Sequence, residues 1–268
     1  KVEIMHNGEP LLLPDTQLRE FTLELKPDNS LEASCQVALA DLDIGVNAVL
    51  EDVDEYFDGQ PLAFSLGLQS ALLNLSLEGH IDFAQPDPTI EAALRGMTPN
   101  PDKIVTGLQD IEIPGKLTTE AQLKGTFAQL AAEQIKATWK GPDQSTIELK
   151  GNIANVIGLE GVQLGLNGKL DNSPWLRPLL PENVGAIRSA SVAAQISGVY
   201  PRLAVKDFDF NGKTEYDLDL SLSGEIDLAL APTGLELANM RTQLVFAAPR
   251  TRAAELLLFE GIPDLGAV

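Results

Sequence analysis

Two histidines, one cysteine and one dense acidic run are the groups in this chain with chemistry to offer. His80 stands in "LEGHID" (77–82), a pattern that returns as "LKGNIA" (149–154) and "LSGEID" (222–227). Asn152 and Glu225 take its place in the other two copies. A general base needs an oriented partner and a pocket. A strand position that changes from copy to copy is read as solvated instead. The run "EDVDEYFDG" (51–59) sets Asp52, Asp54 and Asp58 close enough to consider calcium. It departs from the EF-hand pattern at the third and twelfth positions, so a solvated loop is the stronger reading. Zinc needs four N/S ligands, and His6, Cys35 and His80 are three candidates far apart in sequence. No G-x-S-x-G, H-E-x-x-H or phosphate-loop pattern occurs. The expectation is therefore no catalytic residue, no metal and no cofactor: not an enzyme. Trp139 and Trp175 are read as packing residues. Trp175, with Leu176, Leu179 and Leu180, is also placed to plug or gate one end of a groove.

Composition narrows the partners. The net charge is −20, with 39 acidic residues against 19 basic. That argues against nucleic acid, whose phosphates require Lys and Arg, and against lying face-down on an anionic membrane. Hydrophobic residues make up 44%, a globular value, but aromatics only 5%, so Leu, Ile, Val and Ala must do the burying. No run of 18 apolar residues exists. No signal peptide is visible, and the chain begins with Lys, which reads as a mature or excised segment of something longer. Cys35 lies in "LEASCQVAL" (31–39) with apolar residues at alternate positions, as a small hydrophobe would.

The elements behind these residues are strands. In "YDLDLSLSGEIDLAL" (216–230) Leu218, Leu220, Leu222, Ile226 and Leu228 alternate with acids and serines. A period of two puts the apolar side chains on one sheet face and the polar ones on the other. Gly224 interrupts the row, as a bend or bulge would. The alternation recurs in "REFTLEL", "LDIGVNAVL", "LAFSLGLQ", "STIELKGNI" and "VQLGLNGKL", between turns such as "KPDNS", "FDGQP" and "FNGKT". The chain is predicted to be all-β and mostly antiparallel.

The hexamers define a repeat of about 72 residues. "AQLKG" (121–125) matches "AQISG" (194–198), and "TWKG" (138–141) matches "DFNG" (209–212). The match also decides "TFAQLAAEQIKA" (126–137), which is helical by propensity. Its counterpart "VYPRLAVKDFDF" (199–210) carries Pro201 and then an alternating run, so both are expected to be a turn and a strand. Three inserts are expected as helical turns: "PTIEAALRGM" (88–97), "SPWLRPLLP" (173–181) capped at Ser173, and "RTRAAELLLFEGIPDLG" (250–266) capped at Thr251. The organisation is a first repeat over 1–88, a second over 89–171, a third over 172–249 and the start of a truncated one over 250–268. All belong to one continuous elongated body of five or so strands per repeat.

Such a repeat buries its apolar face only by pairing with its neighbours. Two architectures satisfy this: a closed sandwich, the commoner arrangement, and an open gutter whose inner face is filled by a ligand. The strand-ending L-x-G-x-I pattern, the insert "DNSPWLRPLLPENVG" (171–185) and the ending "EGIPDLGAV" (260–268) resemble the AsmA-like family of bacterial envelope proteins (the AsmA, TamB and YhdP type). The resemblance implies a curled sheet with a hydrophobic groove, a periplasmic body and an anchor to the inner membrane through a segment not present in this sequence. It implies a role in phospholipid movement and outer-membrane maintenance, and it favours the gutter.

The functional candidates are then a face: Leu73, Leu75, Leu77, Ile147, Leu149, Leu218, Leu220, Leu222, Ile226 and Leu228. Burying each contributes about 1.5–3 kcal/mol, so a bare stripe of them must meet lipid or protein. The expected function is non-enzymatic handling of phospholipid or another acyl lipid. The alternative is a structural or assembly subunit with a closed core that docks on an envelope protein and carries no lipid.

Overall fold

Residues 5–6, 9–10, 16–39, 42–99, 101, 113–141, 143–179, 185–231 and 234–247 are described by a computed structural model. A two-residue ladder joins β1 (Met5–His6) to β2 (Glu9–Pro10). Fourteen further strands follow one another as an antiparallel meander, each hydrogen-bonded to the next in sequence order. They are β3 (Thr16–Leu25), β4 (Leu31–Leu39), β5 (Leu42–Leu50), β6 (Leu62–Ser70) and β7 (Asn74–Asp82). Next come β8 (Thr89–Thr98), β9 (Lys116–Thr126), β10 (Leu130–Lys140), β11 (Thr146–Asn155) and β12 (Glu160–Ser173). The last are β13 (Ile187–Val199), β14 (Arg202–Thr214), β15 (Asp219–Ala231) and β16 (Gly234–Ala247). The sheet is elongated, curled and not closed into a barrel; among the described residues no second sheet packs on it, so the arrangement is the open one rather than a closed sandwich. A short helix α1 (Val53–Phe57) and a 3-10 turn (Pro174–Leu179) interrupt the strands. Among the described residues no helix is long and apolar enough to cross a membrane.

The three hexamers fall on β7, β11 and β15, every fourth strand, so one repeat is four strands rather than five. Their glycines share one environment. A side chain on Gly79, Gly151 or Gly224 would run into the next strand's backbone, at Glu91, Gln163 and Arg241 respectively. Gly151 and Gly224 also have φ of +155° and +153°, which L side chains rarely adopt. Opposite them the preceding strand bulges, between Ala132 and Ile135 in β10 and between Val205 and Phe208 in β14. The bulged residues Gln134 (φ 51°) and Asp207 (φ 49°) take the left-handed conformation. The strand β6 before Gly79 has no such shift.

The segment 126–137 is a turn followed by β10, as the repeat requires. Three expectations fail. "PTIEAALRGM" is not a helical insert but β8, bonded on both sides by β7 and β9. Its Ile90, Ala92, Leu94 and Gly96 alternate with Glu91 and Arg95. Ala92 lies so close to Gly79 on β7 that a Cβ on the glycine would collide with it. The insert at 173–181 does turn, over Pro174–Leu179, yet Ser173 does not cap it: its hydroxyl meets the Asp171 carbonyl and the Ser145 hydroxyl, each at 3.4 Å. Finally, Tyr216 to Leu218 precede β15 as a turn, with Asp217 at φ 58° and hydrogen bonds from Asp217 and Leu218 back to Thr214. The insert at 250–266, its cap Thr251, Leu180 and the 260–268 ending lie outside the described residues.

Candidate functional site: an open apolar trough

Residues in register on neighbouring strands share a face, so strand pairings trace rows of side chains across the sheet. One row begins with Leu25, Leu31, Leu50 and Phe64 on β3 to β6. It continues through Gly79, Ala92, Leu123 and Ala132 on β7 to β10. It ends with Ile153, Val162, Gly198, Leu203 and Leu228 on β11 to β15. Thirteen strands contribute and none places a polar side chain in the row. At about 4.8 Å per strand the row is about 58 Å long. A parallel row starts Leu23, Ala33, Ala48, Leu66, Leu77 and Leu94, and a third contains Leu149, Leu166 and Ala194.

Among the described residues no second layer packs on this face, which forms an open trough. In its middle, small residues are shielded by larger neighbours on the same face: Ala132 and Val162 are 4% exposed. At the first strand, where no neighbour follows, Leu25 is 63% exposed. Leu66 on the open rows is exposed as well.

One margin of the trough is sealed. The 3-10 turn folds over the ends of β10 to β15, and its Trp175 and Leu176 pack against Trp139, Leu170, Ile187, Ala190 and Leu220. The two indoles meet edge to face at 5.5 Å. Trp139 lies over Gly141, where any side chain would collide with the ring, and Phe210 lies over Gly212 less tightly, a Cβ there coming 3.1 Å from its ring. The matched "TWKG" and "DFNG" are thus one device, an aromatic that folds back over a glycine two residues on. Beneath the turn, buried Ser145 ties two segments together: its hydroxyl accepts from the Asp171 N–H at 2.8 Å and donates to the Asp171 carbonyl at 3.0 Å.

The expected face therefore divides. Leu75 and Leu77 on β7, Leu149 on β11, and Ile226 and Leu228 on β15 are half-buried on the open rows. Leu220 is buried in the sealed cluster, with Ile147 packed against it. Leu222 is in register with Phe210 beside that cluster. Leu73 and Leu218 sit in the turns before β7 and β15, and Leu218 is buried. Sequence reasoning passed over Leu170, Ile187, Ala190 and Phe210. The aromatic-x-glycine repetition was the available signal for Phe210. Ile187 and Ala190 gave none, because short apolar residues near strand ends occur everywhere in this chain.

The opposite face is polar. Ion pairs cover it: Arg95 with Glu78 at 3.5 Å between the neighbouring strands β8 and β7, Lys150 with Glu148 at 2.7 Å along β11, and Arg19 with Asp43 at 3.3 Å from β3 to β5 across the strand between them. His80 is half-exposed there, 3.8 Å from Glu91, whose carboxylate also holds Lys124. The Lys124 ammonium, by hydrogen bond first and by charge second, keeps the Glu91 carboxyl below the ordinary range. Concavities of about 720 and 310 Å³ lie over this polar face, one lined by Lys169, Ser191, Asn211 and Ser221, the other around His80 and Glu91. The acidic run becomes α1, with Asp54 accepting from the Asn29 amide at 2.6 Å. Among the described residues no group of three or more His, Cys, Asp or Glu is placed to hold a metal ion. Cys35 is a free thiol, half-buried on the apolar face in register with Phe21 and Val46. No family model, curated protein or solved structure matches the chain.

Proposed function

We propose that this chain holds acyl lipid along the trough and is not an enzyme. The observation that carries the reading is the unbroken apolar row of about 58 Å, on which no second layer packs among the described residues. Its length is several times that of one acyl chain, so chains can lie along it end to end or slide. The rows contain no ionised group to bind a particular headgroup, which suits a conduit that recognises hydrocarbon. The setting comes from the resemblance to AsmA-like envelope proteins: a periplasmic body, anchored to the inner membrane in the full-length protein, serving outer-membrane lipid homeostasis. A partner envelope protein covering the same face is the competing occupant.

Two charges on one face separate these. Leu66 is on the open rows, so Leu66→Asp reaches water, the chain stays folded and bound lipid falls. Leu220 is under the 3-10 turn, so Leu220→Asp strands a charge among apolar groups at a cost of several kcal/mol and unfolds the sealed end. Native mass spectrometry and lipid extraction on the gently purified parent and on Leu66→Asp give the answer. A parent free of lipid, or a folded Leu66→Asp that keeps its lipid, rules the reading out.

A further inference from the structure

In a meander, every second connection lies on the same margin of the sheet. The margin opposite the sealed one carries the connections after the odd-numbered strands, from the turn after β3 to the one after β15. Exposed large apolar side chains concentrate there: Tyr56 and Phe83 in edge-to-face contact, then Phe127, Ile157, Leu159 and Tyr200. Phe127 is 58% exposed, Ile157 62% and Tyr200 50%. On the sealed margin Tyr216 is the one exposed large apolar residue among those described. The tips are held in place by backbone bonds between successive hairpins, Val156 N–H to the Leu130 carbonyl at 2.8 Å and Tyr200 N–H to the Leu159 carbonyl at 3.1 Å.

We infer that this margin docks on a lipid bilayer with zwitterionic headgroups. Three features select that occupant. The tips stand on successive hairpins of one margin, about 10 Å apart, two strand spacings. A deformable planar medium accepts separate apolar points, whereas a protein partner needs a contiguous packed patch. The tip residues 126–129, 156–159 and 199–201 include no acid, whereas the tips after β5 and β7 carry Asp52, Asp54, Asp58 and Asp87, so the docking stretch is the part of the margin from β9 to β14. Phenylalanine, isoleucine and a tyrosine with its hydroxyl at the tip suit the headgroup–acyl boundary. The overall charge then disfavours anionic lipid. The inference does not rest on the trough's holding lipid, but the two combine: a margin lying on the bilayer puts the open side of the trough next to a supply of acyl chains.

The test is flotation of the purified chain with phosphatidylcholine vesicles, with and without added phosphatidylglycerol. The comparison is with a variant carrying Phe127→Ser, Ile157→Ser and Tyr200→Ser, and with Leu244→Ser, an exposed site on β16 away from the margin. The three tips are exposed, so circular dichroism and melting temperature stay as in the parent. The parent and Leu244→Ser float, each tip removed lowers partitioning about tenfold, and phosphatidylglycerol weakens it. A parent that does not float, or a triple variant that floats as well as the parent, overturns the inference. So does a triple variant whose only change is from dimer to monomer in light scattering, because the margin would then join two copies. Lipid extraction on the same samples reports on the trough separately.

Discussion

Trp139 and Trp175 are the chain's two indoles, and each buries its N–H without an acceptor. An orphaned donor of this kind costs about 1–3 kcal/mol. The rings stay because an indole removes up to about 250 Å² of apolar surface from water, which outweighs the loss. Trp175→Ala is expected to destabilise by about 3 kcal/mol, a drop of about 6–12 °C in Tm. Trp175→Phe keeps a ring against Trp139 and removes one orphaned donor, so it is expected to melt within about 3 °C of the parent. Thermal melts of both variants check the pair, and equal losses would mean that the edge-to-face contact is unimportant. On the polar face, Glu91 and Lys124 answer to pH. The Glu91 carboxyl is depressed by Lys124, so its contribution is present above the ordinary value of 4.5 and lost as pH falls below it. The Lys124 ammonium is raised by Glu91, so its contribution is present below 10.5 and lost as pH climbs above it. The Tm gap between the parent and Lys124→Met is therefore flat from pH 5 to 10 and closes at both ends. Both groups are exposed, so the gap is small. A gap that persists at pH 3 would show that Lys124 acts through packing of its stem.

At the scale of elements, the hexamer glycines show what a repeat of sequence stands for. Gly151 is required twice over: its φ is one that side chains avoid, and the Gln163 backbone occupies the space a Cβ would fill. Gly151→Ala is expected to cost more than the ~1–3 kcal/mol of backbone strain alone, because strands β11 and β12 must also move apart. Gly67, which meets only ordinary contact, is the control: Gly67→Ala should change stability by less than about 1 kcal/mol, and chemical denaturation of the two variants makes the comparison. These glycines were legible because their cause is local to a strand pair and recurs with each copy. The same logic made 126–137 readable as turn and strand against its helical propensity. It failed for β8, although Pro88 opens the segment and the strand 72 residues on, "VQLGLNGKL" (162–170), alternates plainly: the helical reading sets 88–97 against the turn at 173–181 rather than against that strand. It failed also at 216–218, where the apolar alternation runs straight through a turn. Tyr216 and Leu218 keep the parity of the strand, but Asp217 reverses the chain with Arg188 and Lys213 around its carboxylate. The trough rows were legible in part. Leu77 and Leu149 announce an apolar face, but which residues of thirteen strands stand in line depends on bulges at Gln134 and Asp207 that alternation alone does not reveal.

At the scale of the whole molecule, the consequence of a sheet without a second layer is shape. A compact chain of this length has a radius of gyration of about 18 Å. Fourteen strands at about 4.8 Å make the sheet more than 60 Å long, while its width is one strand of 9 to 14 residues. An object of that form has a radius of gyration above about 20 Å. Its stability is correspondingly one-dimensional, since each strand depends on its two neighbours and the edges on one. The exposed Phe21, Leu23 and Leu25 on β3 and Met240 and Leu244 on β16 mark those weak ends. Small-angle X-ray scattering should return the elongated value at low protein concentration, and added lipid should leave it unchanged, because acyl chains occupy a trough already formed. Collapse towards 18 Å would mean that the sheet folds on itself in solution and buries its own rows, leaving no open face for lipid. A radius that grows with protein concentration would instead locate the docking of one copy on another at the edge strands. Hydrogen exchange would then show new protection on β3 and β16 and none on the margin that carries Phe127, Ile157 and Tyr200.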